Sequence, residues 1–479
     1  TWRRWPDPLV DFGRDLYIPW MMNQGAALYR DIEHAYGPLT QHLNALLFRL
    51  FTPGVITMAV ADAALAALLA VLIYRIALVA AGRAAAFVCT FVYVAVFAFG
   101  SYTKITNFNF INPFSHEATH GFILCMAALH SWQLAFQRKS LKAVAFAGFF
   151  AGLCFLTRAE TSLASLVLSL AALALWKIAN RSLVTATAVF GLFFILPLAG
   201  WFSYSLFAAG SADAALRSTA GAWVVLAQSG ALAMPFYRNL MGTDALGTNV
   251  VMMGTEFVGV LLAGGLIILL ALRLGNRLPL GIAMVAILFF FMVFGRTQWI
   301  STGRSIPLLV VGVLALNIRR LRSGKSIDQS AQFILWSVLS LALLVKIIAH
   351  VQLFHYGFYL ALPAAMLLLA AAIAESGNAC AAMATRIRCP HPPASAAVVV
   401  WTVAALAIAL AGQALWVSLG NYSFHTVPLG KGADRILVLP PRFDERTAAI
   451  GEFLEWSEQE MSPDATFTVV PEGISLNFL

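Results

Sequence analysis

Long apolar runs are the feature that most constrains this chain. Stretches of about 20 apolar residues recur through most of the sequence, and each could cross the hydrocarbon core of a bilayer as an α-helix. Only 11% of the residues are charged, whereas a soluble domain carries about 25%. The sequence therefore predicts an all-α, polytopic membrane protein.

Twelve candidate spans follow from hydropathy. They cover residues 54–80, 84–101, 116–137, 141–157, 160–177, 183–207, 250–272, 279–295, 305–318, 330–350, 356–374 and 396–418. If the spans simply alternate, one side of the membrane receives almost all the basic loops: Arg83, Arg138/Lys139/Lys142, Lys177/Arg181, Arg273/Arg277, Arg319/Arg320/Arg322/Lys325 and Arg386/Arg388. The positive-inside rule makes that side cytoplasmic.

The other side is then external, and it receives both ends of the chain. It also carries most of the carboxylates, although the charge rule acts on Lys and Arg and does not require this sorting. We therefore predict an acidic cavity that faces outward. A net charge of +9 does not indicate a nucleic-acid partner here, because the basic residues mark cytoplasmic loops.

Three regions are expected along the chain. Residues 1–53 form an external loop with juxtamembrane helices, residues 54–419 form the transmembrane domain, and residues 420–479 form an external tail. A helix at 443–461 and a strand at 466–470 make this tail the expected start of a small α/β region. Because the chain lacks an initial Met and stops within a strand-like pattern, we expect a fragment truncated at both ends.

Asp11 is the first candidate for chemistry. It follows the position at which an upstream helix would emerge on the external face. A carboxylate there could act as a general base toward an acceptor hydroxyl or amine. The alternative is an ordinary cap for the following helix, which is a common use of Asp.

The second external loop is more polar than a turn requires. It contains Lys104, three Asn residues, and then His116 and Glu117 in the first turn of a predicted helix. With His120, the last two match the H-E-x-x-H zinc pattern, in which both His side chains face one way. No third ligand motif is visible, so an intramembrane zinc metalloprotease is the less favoured interpretation.

Cations near external helix ends are candidates for binding an anion such as phosphate. Arg296 and Arg304 lie on the external side against the general charge trend, and Arg158 precedes Glu160 at another helix end. Snorkelling and local ion pairing are the alternative explanations. Intramembrane ionisable residues are functional candidates by default, and here they comprise Asp62 and the group Lys346, His350 and His355 at another external helix end.

The N-terminal region resembles a known loop. The run Asp11-Phe12-Gly13-Arg14-Asp15, followed by Tyr36-Gly37-Pro38-Leu39 and by the leucine-rich segment 43–51, looks like the first external loop of GT-C glycosyltransferases. The nearest types are bacterial relatives of dolichyl-phosphate-mannose protein mannosyltransferases and of lipid A aminoarabinose transferases. The resemblance implies a polyprenyl-phosphate-linked sugar donor, a lipid, glycan or protein acceptor, and inverting transfer on the external face.

The resemblance also implies roles for individual residues. Asp11 matches the catalytic carboxylate, and Glu117 is the expected second acidic residue. The family's Asp-Glu pair is Asp11-Phe12 here, and the Lys of its phosphate-contacting Lys-Pro-Pro-Leu run is replaced by Tyr36. Phosphate contacts are therefore expected from Arg14, Lys104, Arg158, Arg296 and Arg304. Positioning of the acceptor or of a divalent cation is expected from His116, His120, Asp15, Glu160 and His355.

The sequence thus favours a glycosyltransferase of the cell envelope, embedded in a bacterial plasma (inner) membrane among its lipids. No cofactor is certain, and a divalent metal cation stays open. A transporter or flippase of lipid-linked substrates is the remaining alternative. It is disfavoured because the sequence has no inverted repeat and no matching pair of Gly/Pro-broken spans.

Overall fold

The computed structural model describes residues 2–4, 7–11, 13–104, 107–111, 115–228, 230, 233–274, 299–324, 327–386, 392–462, 465 and 473–477. The predicted span 279–295, the candidate Arg296 and the predicted strand 466–470 lie outside these residues. Within them the chain is almost entirely helical, as the apolar runs predicted.

Two short helices, α1 (Arg14–Asn23) and α2 (Leu39–Leu50), form the N-terminal loop. The apolar stripe of α2 points outward: Leu46 is 49% exposed and Leu50 is 66% exposed. Its buried face is polar, with Thr40, Gln41 and Asn44 all inaccessible. An apolar outer face and a polar inner face suit a helix that lies at the membrane surface and covers a polar interior.

The first transmembrane element is a helical hairpin. Helix α3 (Val55–Val92) breaks at Gly82, where φ is 85° and ψ is −176°, a combination that is almost restricted to glycine. The Tyr93 hydroxyl donates to the Ala66 carbonyl at 3.2 Å, so the chain has turned back on itself between these residues. The break separates the two predicted spans 54–80 and 84–101, and the second arm ends in a π-helical turn, Tyr93–Ala98.

The remaining helices follow in order. They are α4 (His116–Arg138), α5 (Leu141–Phe155), α6 (Ala159–Ile178), α7 (Leu183–Ala209), α8 (Ala212–Gln228), α9 (Pro235–Met241), α10 (Leu246–Leu274), α11 (Ile306–Arg322), α12 (Ile327–Leu344), α13 (Gly357–Leu360), α14 (Leu362–Arg386), α15 (Pro392–Ser423) and α16 (Arg446–Glu460). Seven helical segments of the described chain are long and apolar enough to cross a membrane, with the α3 hairpin counted as one. The protein is therefore a multi-pass helical membrane protein, and the predicted total of twelve spans is not confirmed.

The loops gather at two opposite ends of the bundle. At one end, Lys104 contacts Phe443, the Leu353 amide donates to the Ile300 carbonyl, and the Ala349 amide donates to Met241. At the other end, Arg181 pairs with Asp328 at 2.7 Å and Arg320 pairs with Glu375. The first group consists of the loops predicted to be external, and the second comes from the loops predicted to be cytoplasmic.

The C-terminal tail packs on the N-terminal segment. Strands β1 (Val427–Leu429) and β2 (Ile436–Val438) form an antiparallel pair, and Arg4 bridges to Leu437 beside them. One apolar cluster joins residues of both regions: Leu16, Phe48, Val55, Met58, Ala59, Leu429, Ile436, Val438 and Ile450. The Ser475 hydroxyl also donates to the Pro8 carbonyl at 2.6 Å. The tail therefore supports the loop that carries Asp11.

Candidate active site

A buried carboxylate at the start of α4 organises the outer end of the bundle. Glu117 is completely inaccessible, and its Oε1 accepts a hydrogen bond from the Gln41 side chain at 2.8 Å. The His34 Nε2 lies 3.4 Å from the same oxygen, and the Ser115 hydroxyl donates to Oε2 at 3.1 Å. A buried carboxylate needs such partners, because an unpaired charge is costly away from water. Glu117 is thus rigidly held.

Asp15 lies beside it on α1 and is also fully buried. Its Oδ1 accepts from the same Gln41 amide at 3.0 Å, and its Oδ2 accepts from the His116 backbone amide at 2.9 Å. Burial, reinforced by the nearby Glu117 charge, raises the pKa of Asp15 to about 6. Gln41 therefore links the N-terminal loop to the beginning of α4 through two acidic groups.

The H-E-x-x-H residues do not form a zinc pair in this arrangement. The His116 Nε2 lies 2.9 Å from an Asp62 oxygen, and its Nδ1 lies 3.3 Å from the Asn44 Oδ1. The His120 Nδ1 is 3.2 Å from the Thr40 hydroxyl. No group of three or more His, Cys, Asp or Glu side chains suited to a metal occurs among the residues that the structure describes. We derive no chemical step through a metal.

Two guanidinium groups flank the ring of Tyr36. The Arg14 group lies 5.2 Å from the ring centroid, and the Arg158 group lies 4.6 Å from it. Burial opposes the charge of Arg14, but neighbouring carboxylates, Glu117 foremost, raise its pKa above the ordinary value. Arg158 is 4% exposed and donates to the Ser115 hydroxyl at 2.8 Å. Both cations therefore persist in the interior of the site.

A third cation, Lys346, is connected to Arg158 through a shared carboxylate, that of Glu160. Glu160 accepts from the Lys346 ammonium and from the Tyr359 hydroxyl, each at 3.0 Å, and lies 2.6 Å from the Arg158 Nε. The Lys346 ammonium also lies 5.0 Å from the Tyr356 ring centroid. Helices from distant parts of the sequence thus place three cations, Arg14, Arg158 and Lys346, along one connected network.

Asp11 stands at the edge of this network. Its Oδ1 lies 3.3 Å from an Arg14 nitrogen, and its side chain is 21% exposed, in contrast with the buried Asp15 and Glu117. Its φ of 60° is unusual for a residue other than glycine, although Asp tolerates it better than most. Asp11 is therefore a carboxylate that a substrate could reach from solvent. Glu160 is similarly exposed, at 24%, but it is already paired with Arg158 and Lys346.

The loop is held against the transmembrane helices by backbone contacts at Gly37. The Gly37 amide donates to Thr157 at 2.6 Å, and the Leu39 amide donates to Leu156 at 3.0 Å. A Cβ atom on residue 37 would lie 2.2 Å from the Leu156 carbonyl oxygen, so only glycine fits. This close approach brings Tyr36 over Arg158.

Several predicted site residues lie elsewhere. Lys104 donates to the Phe443 carbonyl at 3.2 Å on the C-terminal tail, and Arg304 faces Glu256 at 4.0 Å. His355 stacks on Phe108 at 4.9 Å, and burial lowers its pKa to about 4, with the Lys346 charge adding to the effect. The structure thus brings together Asp11, Arg14, Asp15, His116, Glu117, His120, Arg158 and Glu160 but not Lys104 and Arg304.

Sequence reasoning missed several members of the network, among them His34, Tyr36, Gln41 and Ser115. The available signal was on α2, where Thr40, Gln41 and Asn44 form a polar face opposite the leucine stripe. A polar face on a surface helix usually indicates solvent. Here the leucine stripe is exposed and the polar face packs inward.

Comparisons with known proteins add one structural likeness. No family model matches the chain, and no curated protein matches it. A crystal structure of the Archaeoglobus fulgidus oligosaccharyltransferase, in complex with zinc and sulfate, matches at 13% sequence identity with a TM-score of 0.44. The match covers 96% of this chain and 55% of the other, so this chain spans about half the length of that protein. So loose a superposition transfers no residue roles to this chain.

Proposed function

We propose that the protein is a membrane glycosyltransferase that moves a sugar from a polyprenyl-phosphate carrier to an acceptor. The observation that carries this proposal is the arrangement of Asp11, Arg14 and Arg158 around Tyr36. An accessible carboxylate lies next to a cation, and a second cation lies across one aromatic ring from the first. The resemblance of the first loop to GT-C enzymes supports the same reading.

Each group has a chemical task in this proposal. The Asp11 carboxylate accepts the proton of the acceptor hydroxyl or amine as the acceptor atom attacks the anomeric carbon with inversion. The bond between that carbon and the phosphate oxygen breaks, and the lipid phosphate leaves with the electron pair. Arg14 and Arg158 offset the charge that develops on the leaving phosphate, and Lys346 extends the cationic row.

Glu117 is a positioning residue in this scheme. Its carboxylate holds Gln41, Ser115 and His34 in place, and through Ser115 it is connected to Arg158. Glu160 has the same role toward Arg158 and Lys346. Both residues keep buried cations oriented, while Asp11 faces the reacting atoms.

The membrane face that we propose for the site follows from the charge distribution of the loops. We propose that the site faces the periplasm from the inner membrane of a bacterium, because the basic loops gather at the opposite end of the bundle. The acceptor would be a lipid, glycan or protein of the cell envelope. A divalent cation is not assigned to any residue.

The substitution Asp11→Asn tests the proposal. It removes the general base while keeping the size of the side chain, and we expect turnover to fall by about 10²–10⁴-fold. The assay measures release of polyprenyl phosphate from a polyprenyl-phosphate sugar in the presence of a membrane extract as the source of acceptor. Asp244→Asn, which changes an exposed carboxylate outside this network, should keep normal turnover. Retained turnover in folded Asp11→Asn protein would refute the role of Asp11.

A further inference from the structure

A cavity lies between the N-terminal loop and helices α7 and α8, and its lining does not include Arg158. It has a volume of about 950 Å³ and is enclosed by residues 26–34 and α2 on one wall and by α7 and α8 on the other. This volume is at the upper end of the range for sites that hold small molecules. None of the roles assigned above uses it.

The cavity reaches the buried carboxylate network through one side chain. His34 lines the cavity, and its Nε2 lies 3.4 Å from the Glu117 Oε1 on the opposite side of the loop. Burial lowers the pKa of His34, so its imidazole is neutral at pH 7 and can serve as a hydrogen-bond partner. A ligand in this cavity would therefore be separated from Glu117 by a single side chain.

Three aromatic rings line the cavity, His42 on α2 and Trp201 and Tyr204 on α7. The Trp201 centroid lies 4.6 Å from that of His42 and 5.4 Å from that of Tyr204. The Trp201 Nε1 donates to the Ser218 hydroxyl at 3.0 Å, which fixes the orientation of the indole. The negative face of an aromatic ring attracts the C–H groups on the apolar face of a sugar, so such a lining suits a carbohydrate.

The charged residues that line the cavity carry equal numbers of positive and negative charges. Three Arg and three acidic residues line the cavity: Arg30, Arg49, Arg217, Asp31, Glu33 and Asp213. Arg30 pairs with Asp31 at 2.7 Å, and Arg217 pairs with Asp213 at 2.8 Å. The cavity therefore offers planar polar groups without the excess positive charge that a phosphate requires, in contrast with the row Arg14, Arg158 and Lys346.

The mouth of the cavity lies at the edge of the membrane. Leu46 of α2 and Tyr204 of α7 both line it and are both exposed, at 49% and 54%. Leu43 and Leu50 continue the exposed apolar face of α2 on either side of Leu46. A ligand with a hydrocarbon chain could thus keep that chain in the bilayer while its head group enters the cavity.

We infer that this cavity binds the uncharged sugar head group of a membrane glycolipid. This lipid would be the acceptor of the transfer, an assignment that rests on the proposed function. The hydroxyl that reacts at Asp11 lies on another part of the same acceptor, because Asp11 does not line the cavity. Trp201 and Tyr204 contact the sugar face, the paired charges bind its hydroxyl groups, and His34 lies at the inner end. None of the proposed phosphate-binding cations lines the cavity, so the donor phosphate and this sugar occupy separate places.

Saturation-transfer NMR on the full chain in lipid nanodiscs tests the inference, with n-hexyl β-D-glucoside as the probe. We expect saturation of the sugar-ring protons and a dissociation constant at least tenfold higher for Trp201→Ala. Trp201→Phe keeps an aromatic face and should restore binding. Trp416→Ala, which removes an exposed Trp on α15, is the matched control and should bind like the wild type.

Two outcomes would overturn the inference. One is glucoside binding that Trp201→Ala leaves unchanged. The other is n-hexyl phosphate binding as tightly as the glucoside and being lost in the same variant, which would make the cavity a phosphate site. If Trp201→Ala does not fold, as judged by gel filtration and thermal unfolding, Tyr204→Leu replaces it with the same expected loss.

The failure of this inference can be separated from failure of the proposed function. Asp11→Asn should bind the glucoside with wild-type affinity, because Asp11 does not line the cavity. If Asp11→Asn retains turnover, the catalytic proposal fails while glucoside binding stands. If Asp11→Asn is inactive but the glucoside does not bind, only the assignment of the cavity fails.

Discussion

Gln41 holds two carboxylates with one amide group. Its nitrogen donates to Asp15 at 3.0 Å and to Glu117 at 2.8 Å, and neither acid has contact with solvent. Two negative charges this close disfavour each other's ionised forms, so one proton is retained more strongly than usual. Of the two acids, Asp15 is the one whose pKa is raised by burial and by the neighbouring charge.

The raised pKa of Asp15 predicts a pH dependence of stability. Between its ordinary value of 3.8 and about 6, the folded protein holds a proton that the unfolded chain has released. The contribution of this group to stability is therefore full below about pH 4, falls as pH rises to about 6, and is lost above it. We expect the wild-type unfolding temperature to fall more steeply from pH 4 to pH 6 than that of Asp15→Asn. Parallel pH profiles of the two proteins would contradict the assignment.

Arg158 provides a second test at the scale of a residue. The Arg158 side chain is 5% exposed and that of its partner Glu160 is 24% exposed, so the loss of this pair should cost more than the loss of a surface pair. We therefore expect Arg158→Met to lower the unfolding temperature measured in detergent. Arg217→Met breaks an exposed pair with Asp213 and should leave that temperature unchanged. Equal effects of the two substitutions would show that the buried network does not stabilise the fold.

At the scale of elements, Gly37 joins the external loop to the end of α5. Ala at this position would push a methyl group into the Leu156 carbonyl and separate the two backbones. We expect Gly37→Ala to destabilise the protein by about 1–3 kcal/mol and to reduce turnover, because Tyr36 would move away from Arg158. Gly412→Ala, in a helix with open space around the site, is the control and should be neutral in both assays. Normal turnover in Gly37→Ala would mean that the approach of Tyr36 to Arg158 is not needed.

The helices themselves were largely accessible to sequence reasoning. Apolar length predicted α6 and α7 to within two residues, and the split at Gly82 was anticipated as a gap between two spans. The pairing of Glu160 with Lys346 was not predicted, because these residues are 186 positions apart and meet only through the packing of α6 on α12. Hydropathy locates a helix in the chain but does not specify which neighbour it contacts.

The residues of the candidate site also fall into two groups, those that sequence reasoning could select and those that it could not. Asp11, Glu117 and Arg158 could be selected because charged residues at external helix ends are unusual. Gln41 and Tyr36 could not be selected from the sequence, since an uncharged polar residue in a surface loop has many ordinary explanations. Their importance comes from what they contact: Gln41 reaches Glu117, 76 residues away along the chain, and Tyr36 lies against Arg158 of a distant segment.

For the whole molecule, the grouping of loops at two ends predicts sidedness. The described Cys residues 89, 125, 154 and 380 are buried, so Cys389→Ser gives a background suited to labelling. We expect Ser462→Cys to react with a membrane-impermeant maleimide in spheroplasts, because α16 precedes it at the external end. Ser323→Cys, at the basic end after α11, should react only after the membrane is permeabilised. The reverse pattern would invert the topology and refute an external site.

The contact between the tail and the N-terminal segment has a consequence for biosynthesis. Arg446 pairs with Asp7, and Ser475 donates to Pro8, so the stretch just before Asp11 receives partners that are more than 400 residues away. A ribosome makes those partners only after every helix between them has been delivered to the membrane. The loop that carries Asp11 would therefore complete its packing at the end of synthesis, and a partly inserted chain would meet substrate without an assembled site.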